Sequence, residues 1–457
     1  MTHKFVGGPG AGKTKTLLDL VVQYQKAAYL SFTRSAVGEA KERAEKLNIN
    51  TEYFKTLHAL AYKLLGVKRS MMLDFKQMAT FKQHMGDLGH EISFYFDEDT
   101  YQERRSIPLY LQQLSVNLMK PIEEIYKNGS WDVSLKDVKY VVKCYEDFKT
   151  YYSVFDFNDL LVKTLSLKNI QIDVEAVFLD EAQDLTVLQW EVFNHLFKDT
   201  ENKYIVGDDC QCLYHWAGVD IDRFINLKYD KLTILDKSYR VPENILNVSE
   251  SIFKKIENKI DRKIKPCDKG GKVRYINNIE YYDFNTKESY FILIRNWYLH
   301  KNITESLKLK GIPFLLDKKS SINERDFKAI VNWERWRKGR ENQNISLLKD
   351  YVQNLNQNVP WFEAFRFMDL EKAVYYREIL RNGFSLNPEK IGIEIMTIHK
   401  SKGREADHII LFQDVSNRTF EHIKNDTEHK VFYVGVTRAK KSLTFVRPDT
   451  LKYYEVV

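Results

Sequence analysis

The stretch Gly7-Gly8-Pro9-Gly10-Ala11-Gly12-Lys13-Thr14 decides the fold. Its spacing is G-x-x-x-x-G-K-T; the apolar pair Phe5-Val6 stands before it and the helix-forming run Thr16 to Val22 follows. Strand, glycine-rich loop and helix in that order make a phosphate cradle. Glycines lack the Cβ that would keep backbone N–H groups from turning inward, and the positive end of the helix adds to the attraction. In such a cradle Lys13 reaches the terminal phosphates and the Thr14 hydroxyl holds magnesium. The loop therefore predicts a nucleoside triphosphate and Mg2+ as ligands, and by itself does not say what their chemistry drives.

Working outward, Ala27 to Arg34 reads as a second buried strand ending in a polar turn, followed by a helix from Ala36 to Leu47. Alternating strand and helix predicts α/β architecture with a parallel sheet, whose ligands gather at the carboxyl ends of the strands. Thr56 to Leu65 is an amphipathic helix with Thr56 and His58 in its first turn. From Lys68 to Tyr145 the pattern changes to charged and aromatic helical segments, broken at Pro108, Pro121 and Asn128-Gly129, which reads as a helical insertion. Strands resume with Val174 to Leu179, ending in Asp180-Glu181-Ala182-Gln183-Asp184. Adjacent carboxylates at the end of a buried strand suit the same site: Asp180 would hold the magnesium, and Glu181 would orient and deprotonate the attacking water. The next strand, Lys203 to Gly207, leads into Asp208-Asp209-Cys210-Gln211, where the Gln211 amide is placed to touch a terminal phosphate and a water. Tyr214 and Trp216 follow, with rings that suit either the core or an external surface.

A further strand, Leu232 to Leu235, ends in Lys237-Ser238-Tyr239-Arg240, and a second sheet follows with strands at Tyr290 to Arg295 and Pro313 to Leu316. The basic run 318–340 contains Trp333 and Trp336, which share a helix face and so predict a buried one. Residues 341–389 read as helical, and Ile391 to Met396 returns to strand before Thr397-Ile398-His399-Lys400-Ser401-Lys402-Gly403-Arg404-Glu405. His408 to Phe412 is another strand, Val431 to Lys440 a helix, and Ser442 to Val446 the last strand. At 457 residues the chain needs several cores, and 44% hydrophobic with 29% charged residues excludes a disordered chain. The net charge of +7 fits a nucleic-acid partner without requiring one. The four cysteines lack C-x-x-C spacing, so neither a zinc site nor a disulfide framework is expected. No apolar run approaches the roughly 18 residues that span a bilayer, and a cytoplasmic setting without membrane contact is the expectation.

Read in order, DEAQD, GDDCQCLYHW, KSYR, TIHKSKGRE and YVGVTRAK resemble the motif set of superfamily 1 DNA helicases of the UvrD, PcrA and Rep kind, over nearly the whole chain. The resemblance implies two RecA-like motor domains with ATP between them and single-stranded DNA across their top. The first would comprise 1–67 and 146–231 with 68–145 inserted; the second would comprise 232–340 and 390–457, with 341–389 as a reduced insertion. It assigns Gly7 to Thr14 to the nucleotide, Thr14 and Asp180 to the metal, Glu181 to water activation and Gln211 to sensing the terminal phosphate. Arg240 and Arg438 become arginine fingers, Tyr239 the ring stacked on adenine, and Gly403 and Glu405 the elements near the ribose. For DNA it points to Phe32, Thr33, Arg34, His58, Tyr214, Trp216, Arg295, Thr397 and His399, with Arg295 as a phosphate contact. Departures stand at Ala217, where many members carry arginine, at Ser238, where they carry asparagine, and at Trp297, aligned with another family asparagine.

The expected function is an ATP-dependent helicase, acting as a monomer that moves 3′ to 5′ on single-stranded DNA and unwinds tailed duplexes. Two alternatives stand beside it: a translocase that strips proteins from DNA with little unwinding, and a non-motor nucleic-acid-binding subunit. The family's adenine-reading glutamine precedes the loop, and Met1-Thr2-His3-Lys4 leaves no space for it, so loose base selectivity is expected.

Overall fold

A computed structural model describes residues 1–31, 34–95, 103–168, 170, 172–340, 344–356 and 358–456, with backbone alone at positions 34, 35 and 345. The chain divides into two units, Met1–Tyr239 with Ile256–Lys265, and Arg240–Lys255 with Pro266–Val457. Each is built on a mainly parallel sheet, as the two RecA-like units of the resemblance require.

In the first unit the strands are β1 (Thr2–Gly7), β2 (Ala27–Ser31), β3 (Tyr53–Lys55), β4 (Ala176–Asp180), β5 (Asn202–Gly207) and β6 (Lys231–Leu235). They form one sheet in the order β3-β2-β4-β5-β1-β6, with every pairing parallel. Helices cover both faces, which is why β2 and β4 are buried along their whole length and read as unbroken apolar runs. One face packs Leu17, Val21, Tyr29, Phe178 and Val206 together, and the other gathers Val6, Leu30, Leu60, Leu161, Val177 and Ile205. β5 lies between β1 and β4, so the loops that leave these three strands sit side by side. The expected boundary at 231/232 is corrected here: β6 pairs with β1 and belongs to the first sheet, since an edge strand's own sequence does not say which sheet it joins.

Between β3 and β4, helices Phe75–Asp87, Ile107–Leu118, Ile122–Lys127 and Leu135–Tyr152 form the expected insertion. Its core has Phe81, Met85, Leu109 and Tyr145 on one side, and Ile107, Leu111 and Val138 on the other. The last helix runs to Tyr152, past the expected end at 145.

The second unit has β7 (Lys272–Ile276), β8 (Tyr290–Ile294), β9 (Leu315–Leu316), β10 (Lys319–Ser320), β11 (Ile393–Thr397), β12 (Ala406–Phe412) and β13 (Ala439–Val446). Their order is β10-β9-β11-β8-β12-β13-β7, with only the β9–β10 pairing antiparallel. A separate helical core forms from Trp333, Tyr351, Trp361, Phe365, Tyr376 and Ile379. It includes the helix Glu324–Arg337, so this insertion begins near Ile322 and not at 341. The buried tryptophan face is as predicted: Trp333 donates its indole N–H to the Val359 carbonyl at 3.0 Å and meets Trp336 edge to face. No helix among the described residues is long and apolar enough to cross a membrane.

Candidate nucleotide site and nucleic-acid face

The loop after β1 turns through Gly10 (φ 69°) and Gly12 (φ 74°), left-handed conformations that glycine adopts without strain, and the helix Lys13–Val21 starts at once. A Cβ at Gly7 would sit 3.1 Å from Lys13 Cγ, so the lysine lies back across the strand end. A Cβ at Gly8 would meet Ile264 Cδ1 at 2.0 Å; glycine is what lets the 256–265 segment press on the loop. From the other side, Ser238 Oγ donates to the Pro9 carbonyl and the Tyr239 N–H to the Gly10 carbonyl, both at 2.8 Å. Two of the loop's carbonyls are thereby tied to residues 238 and 239. The Tyr239 ring is 70% exposed and passes 3.7 Å from where a Gly12 Cβ would be, beside the loop where a stacking ring is expected.

The metal-ligand candidates converge. Thr14 Oγ1 donates to Asp180 Oδ2 at 2.7 Å, and the Tyr29 hydroxyl donates to the same oxygen at 2.5 Å. Burial pushes the Asp180 carboxyl above its ordinary range and the Glu181 charge adds to the push; the Tyr29 and Thr14 hydrogen bonds and Lys13 oppose it. A hydroxyl and a carboxylate, crowded by a second carboxylate, form a hard oxygen donor set of the kind Mg2+ takes. Glu181 stands at φ 53°, a strained conformation for a residue with a side chain. Gln183 Nε2 donates to Glu181 Oε2 at 2.7 Å, while Gln183 Oε1 accepts the Asp208 N–H at 2.9 Å. The loops after β4 and β5 are thereby joined through one amide side chain. Gln211 donates to Asp208 Oδ2 at 2.7 Å, and the buried Arg262 pairs with Asp208 and Asp209. Tyr29, Gln183 and Arg262 were not singled out in the sequence. Tyr29 lies inside an apolar strand, Gln183 beside the Asp180–Glu181 pair, and Arg262 in the basic run from Lys259 to Lys265, which carries no motif.

In the second unit Arg240 Nε pairs with Glu405 at 2.5 Å and Lys440 Nζ approaches the same carboxylate at 3.3 Å. Burial opposes ionisation of Glu405, but Arg240 and Lys440 together hold it below the ordinary carboxylate range. Arg438 is 1% exposed and donates to the carbonyls of Val434 (3.0 Å) and Arg404 (3.3 Å), in the same neighbourhood. Gly403 turns the chain there at φ 76°.

For nucleic acid, Phe32 and Thr33 lie outside the described residues, as does the side chain of Arg34. His58 is half-buried and meets the exposed Phe157 edge to face at 5.8 Å, a neighbour that sequence reading missed because it lies about a hundred residues away. Tyr214 and Trp216 are half-buried. Trp216 packs on the helical insertion, whose Tyr110 hydroxyl and Asn117 amide donate to the Trp216 and Ala217 carbonyls at 2.8 Å. Thr397 and His399 are half-buried at the end of β11, where Lys400 Nζ lies 5.2 Å from the Trp297 ring. Arg295 stands apart from these candidates. It is 4% exposed, with Nε and Nη2 donating to the two oxygens of Glu428 at 2.7 and 2.6 Å. Both oxygens of that carboxylate are thus engaged by one guanidinium.

The profile of the UvrD/REP helicase N-terminal domain matches residues 2–231, and that of the UvrD-like helicase C-terminal domain matches residues 337–448. The chain belongs to the UvrD/REP helicase family. It is 24% identical over 360 residues to the ATP-dependent DNA helicase PcrA of Leuconostoc citreum, covering 68% of this chain and 47% of that protein. PcrA of Bacillus subtilis is 24% identical over 369 residues, 72% of this chain and 47% of that protein. The ATP-dependent DNA helicase Rep of Buchnera aphidicola is 24% identical over 278 residues, 54% of this chain and 40% of that protein. The chain thus spans less than half the length of these relatives. The solved PRRSV helicase aligns with all of this chain and 55% of its own at 12% identity and a TM-score of 0.35, too slight a likeness to bear on the site. Within the UvrD/REP pattern, the unusual Ser238 has a structural use. It is buried and supplies the hydroxyl that ties down Pro9.

Proposed function

We propose that the chain is an ATP-driven motor that moves along single-stranded DNA, in the 3′ to 5′ direction by family resemblance, and separates duplex strands. The observation that carries this reading is the convergence of Thr14 on Asp180 at 2.7 Å, with Glu181 wired through Gln183 to the loop that bears Gln211. A binding subunit would not need that wiring. In this reading Lys13 binds the terminal phosphates, Thr14 and Asp180 hold Mg2+, and Glu181 takes the proton of the attacking water. The bound cation supplies charge that offsets the developing negative charge on the phosphoryl oxygens. Arg240 and Arg438 serve as arginine fingers, with Glu405 and Gly403 toward the ribose and Tyr239 stacked on the base. His58, Tyr214, Trp216, Thr397 and His399 meet DNA, and the exposed Phe157 joins them beside His58. Ring stacking of this kind is worth about 1–3 kcal/mol per base and tolerates any sequence.

The test is hydrolysis of ATP with and without single-stranded DNA, on wild type and Glu181→Gln, followed by unwinding of 3′- and 5′-tailed duplexes. The expected outcome is DNA-stimulated hydrolysis in wild type that falls by at least about 10³-fold in Glu181→Gln while nucleotide binding persists, since only the transition-state interaction is removed. Unwinding is expected on the 3′-tailed substrate. Hydrolysis that survives in Glu181→Gln refutes the assignment of the base, and unwinding confined to 5′-tailed substrates refutes the direction.

A further inference from the structure

Asp208 and Asp209 are adjacent carboxylates, fully buried, whose oxygens and the Cys210 sulfur come within 4.8 Å of one another. Two like charges in such a place require a cation. The cation paired with both is Arg262, whose side chain is 0% exposed and whose fork spans the two acids: Nη2 pairs with Asp208 Oδ1 and Nη1 with Asp209 Oδ1 at 2.5 Å. The rest of each carboxylate is also committed. Asp208 Oδ1 accepts the Cys210 N–H at 3.1 Å, and Asp209 Oδ2 accepts the Ile260 N–H at 2.8 Å. Asp208 Oδ2 accepts Gln211 Nε2 at 2.7 Å. A carboxylate only accepts, so the amide must present nitrogen to it, and the orientation of Gln211 follows from that of Asp208.

Arg262 lies on the segment Ile256–Lys265, which belongs to the first unit although the chain on both sides of it belongs to the second. The same segment places Ile264 against Gly8 of the phosphate loop. We propose that Arg262 is a positioning residue for nucleotide hydrolysis: it fixes Asp208, and through Asp208 it fixes the amide of Gln211 toward the terminal phosphate and the attacking water. The proposal rests on the hydrolytic reading above. Arg262 touches neither nucleotide nor metal in it and acts only through Gln211. A lysine supplies one point charge and does not span two carboxylates in a planar fork, so Arg262→Lys keeps the charge and loses the alignment.

The experiment measures kcat and KM for DNA-stimulated ATP hydrolysis, fluorescent-nucleotide affinity and the thermal unfolding midpoint for wild type, Arg262→Lys, Gln211→Ala and the double variant. Arg262→Lys is expected to bind nucleotide within about threefold of wild type and to lose about 10- to 100-fold in kcat, the scale on which misplaced reacting groups act. In the Gln211→Ala background the same substitution should change kcat by less than about twofold, because its target is gone. Equal losses of kcat in both backgrounds, or an unchanged kcat in folded Arg262→Lys, overturn the proposal. Should Arg262→Lys not fold, Asp208→Asn takes its place with the same double variant and the same criteria, for it disturbs the acceptor of Gln211 while Asp209 retains Arg262. Wild type that does not hydrolyse ATP refutes the functional reading and this proposal with it, whereas additive losses in an active enzyme refute the positioning role alone.

Discussion

Replacing Arg295 by methionine separates two accounts of one residue. The family resemblance makes Arg295 a DNA phosphate contact, whereas the structure buries it to 4% exposure in a two-pronged pair with Glu428, itself 4% exposed. Removing one partner of a buried pair leaves the other as an uncompensated charge in a low-dielectric interior and costs about 3–5 kcal/mol. About 4 kcal/mol is close to a thousandfold in the unfolding equilibrium, a large share of the 5–15 kcal/mol or so typical of a domain. Removing both partners leaves no such charge, so Arg295→Met with Glu428→Leu should recover most of the loss. Urea unfolding of the three proteins reads this directly. The slope of log affinity for single-stranded DNA against log salt provides the opposing readout, since each lost phosphate contact on a single strand lowers it by about 0.7. The expectation is a strongly destabilised single variant, a recovered double variant and an unchanged salt slope. A stable Arg295→Met whose slope falls by about 0.7 refutes the buried-pair argument.

Two other outcomes follow from local geometry. Gly311 has φ 62°, and a Cβ there would lie 2.5 Å from Glu378 Cβ and 2.6 Å from its carbonyl carbon; Gly311→Ala should cost at least about 2 kcal/mol in thermal unfolding. Gly383 (φ 77°) has nothing within 4 Å of its Cβ position, so Gly383→Ala measures backbone strain alone, and equal effects at both sites would refute the steric argument. Lys4 is buried, with Nζ donating to the Ile225 carbonyl at 2.7 Å; burial lowers it from the ordinary lysine value to about 8, against the pull of Asp209. The unfolded chain then binds more protons between about pH 8 and the ordinary lysine value near 10.5, so stability rises with pH across that window. Wild type should therefore gain about 1 kcal/mol over Lys4→Met between pH 8 and pH 9, and a flat difference would show that burial does not perturb Lys4.

What was legible in the sequence were the strand ends. Buried parallel strands read as continuous apolar runs, and the polar residues that stop them, Asp180 at the end of β4 and Asp208 after β5, mark the strand ends where the proposed site lies. Trp333 and Trp336 were legible for a similar reason, since their spacing fixes a face. Affiliation was less legible. The strand Lys231–Leu235 and the helix Glu324–Arg337 were recognisable as elements, but which sheet or core each joins depends on partners far away in the chain. The same limit explains Arg295. Glu428 lies 133 positions further on and carries no local sign that it faces an arginine, so a motif position was read as solvent-facing.

Arg262 and Arg295 are the two sides of one physical rule. Both are arginines whose side chains are enclosed beside buried carboxylates. Their consequences differ with what the carboxylate does next. Glu428 receives both prongs of Arg295, one on each carboxylate oxygen. Asp208 takes one prong of Arg262 on Oδ1 and gives Oδ2 to Gln211. A carboxylate that takes both prongs of one guanidinium fixes the fold, whereas a carboxylate with one acceptor passed onward also fixes the orientation of a third group. Charge substitution therefore has distinct signatures at the two sites: loss of stability at Arg295, and loss of kcat with nucleotide affinity preserved at Arg262. The motif alone would have ranked them in the reverse order, because Arg295 sits in a recognisable motif and Arg262 does not.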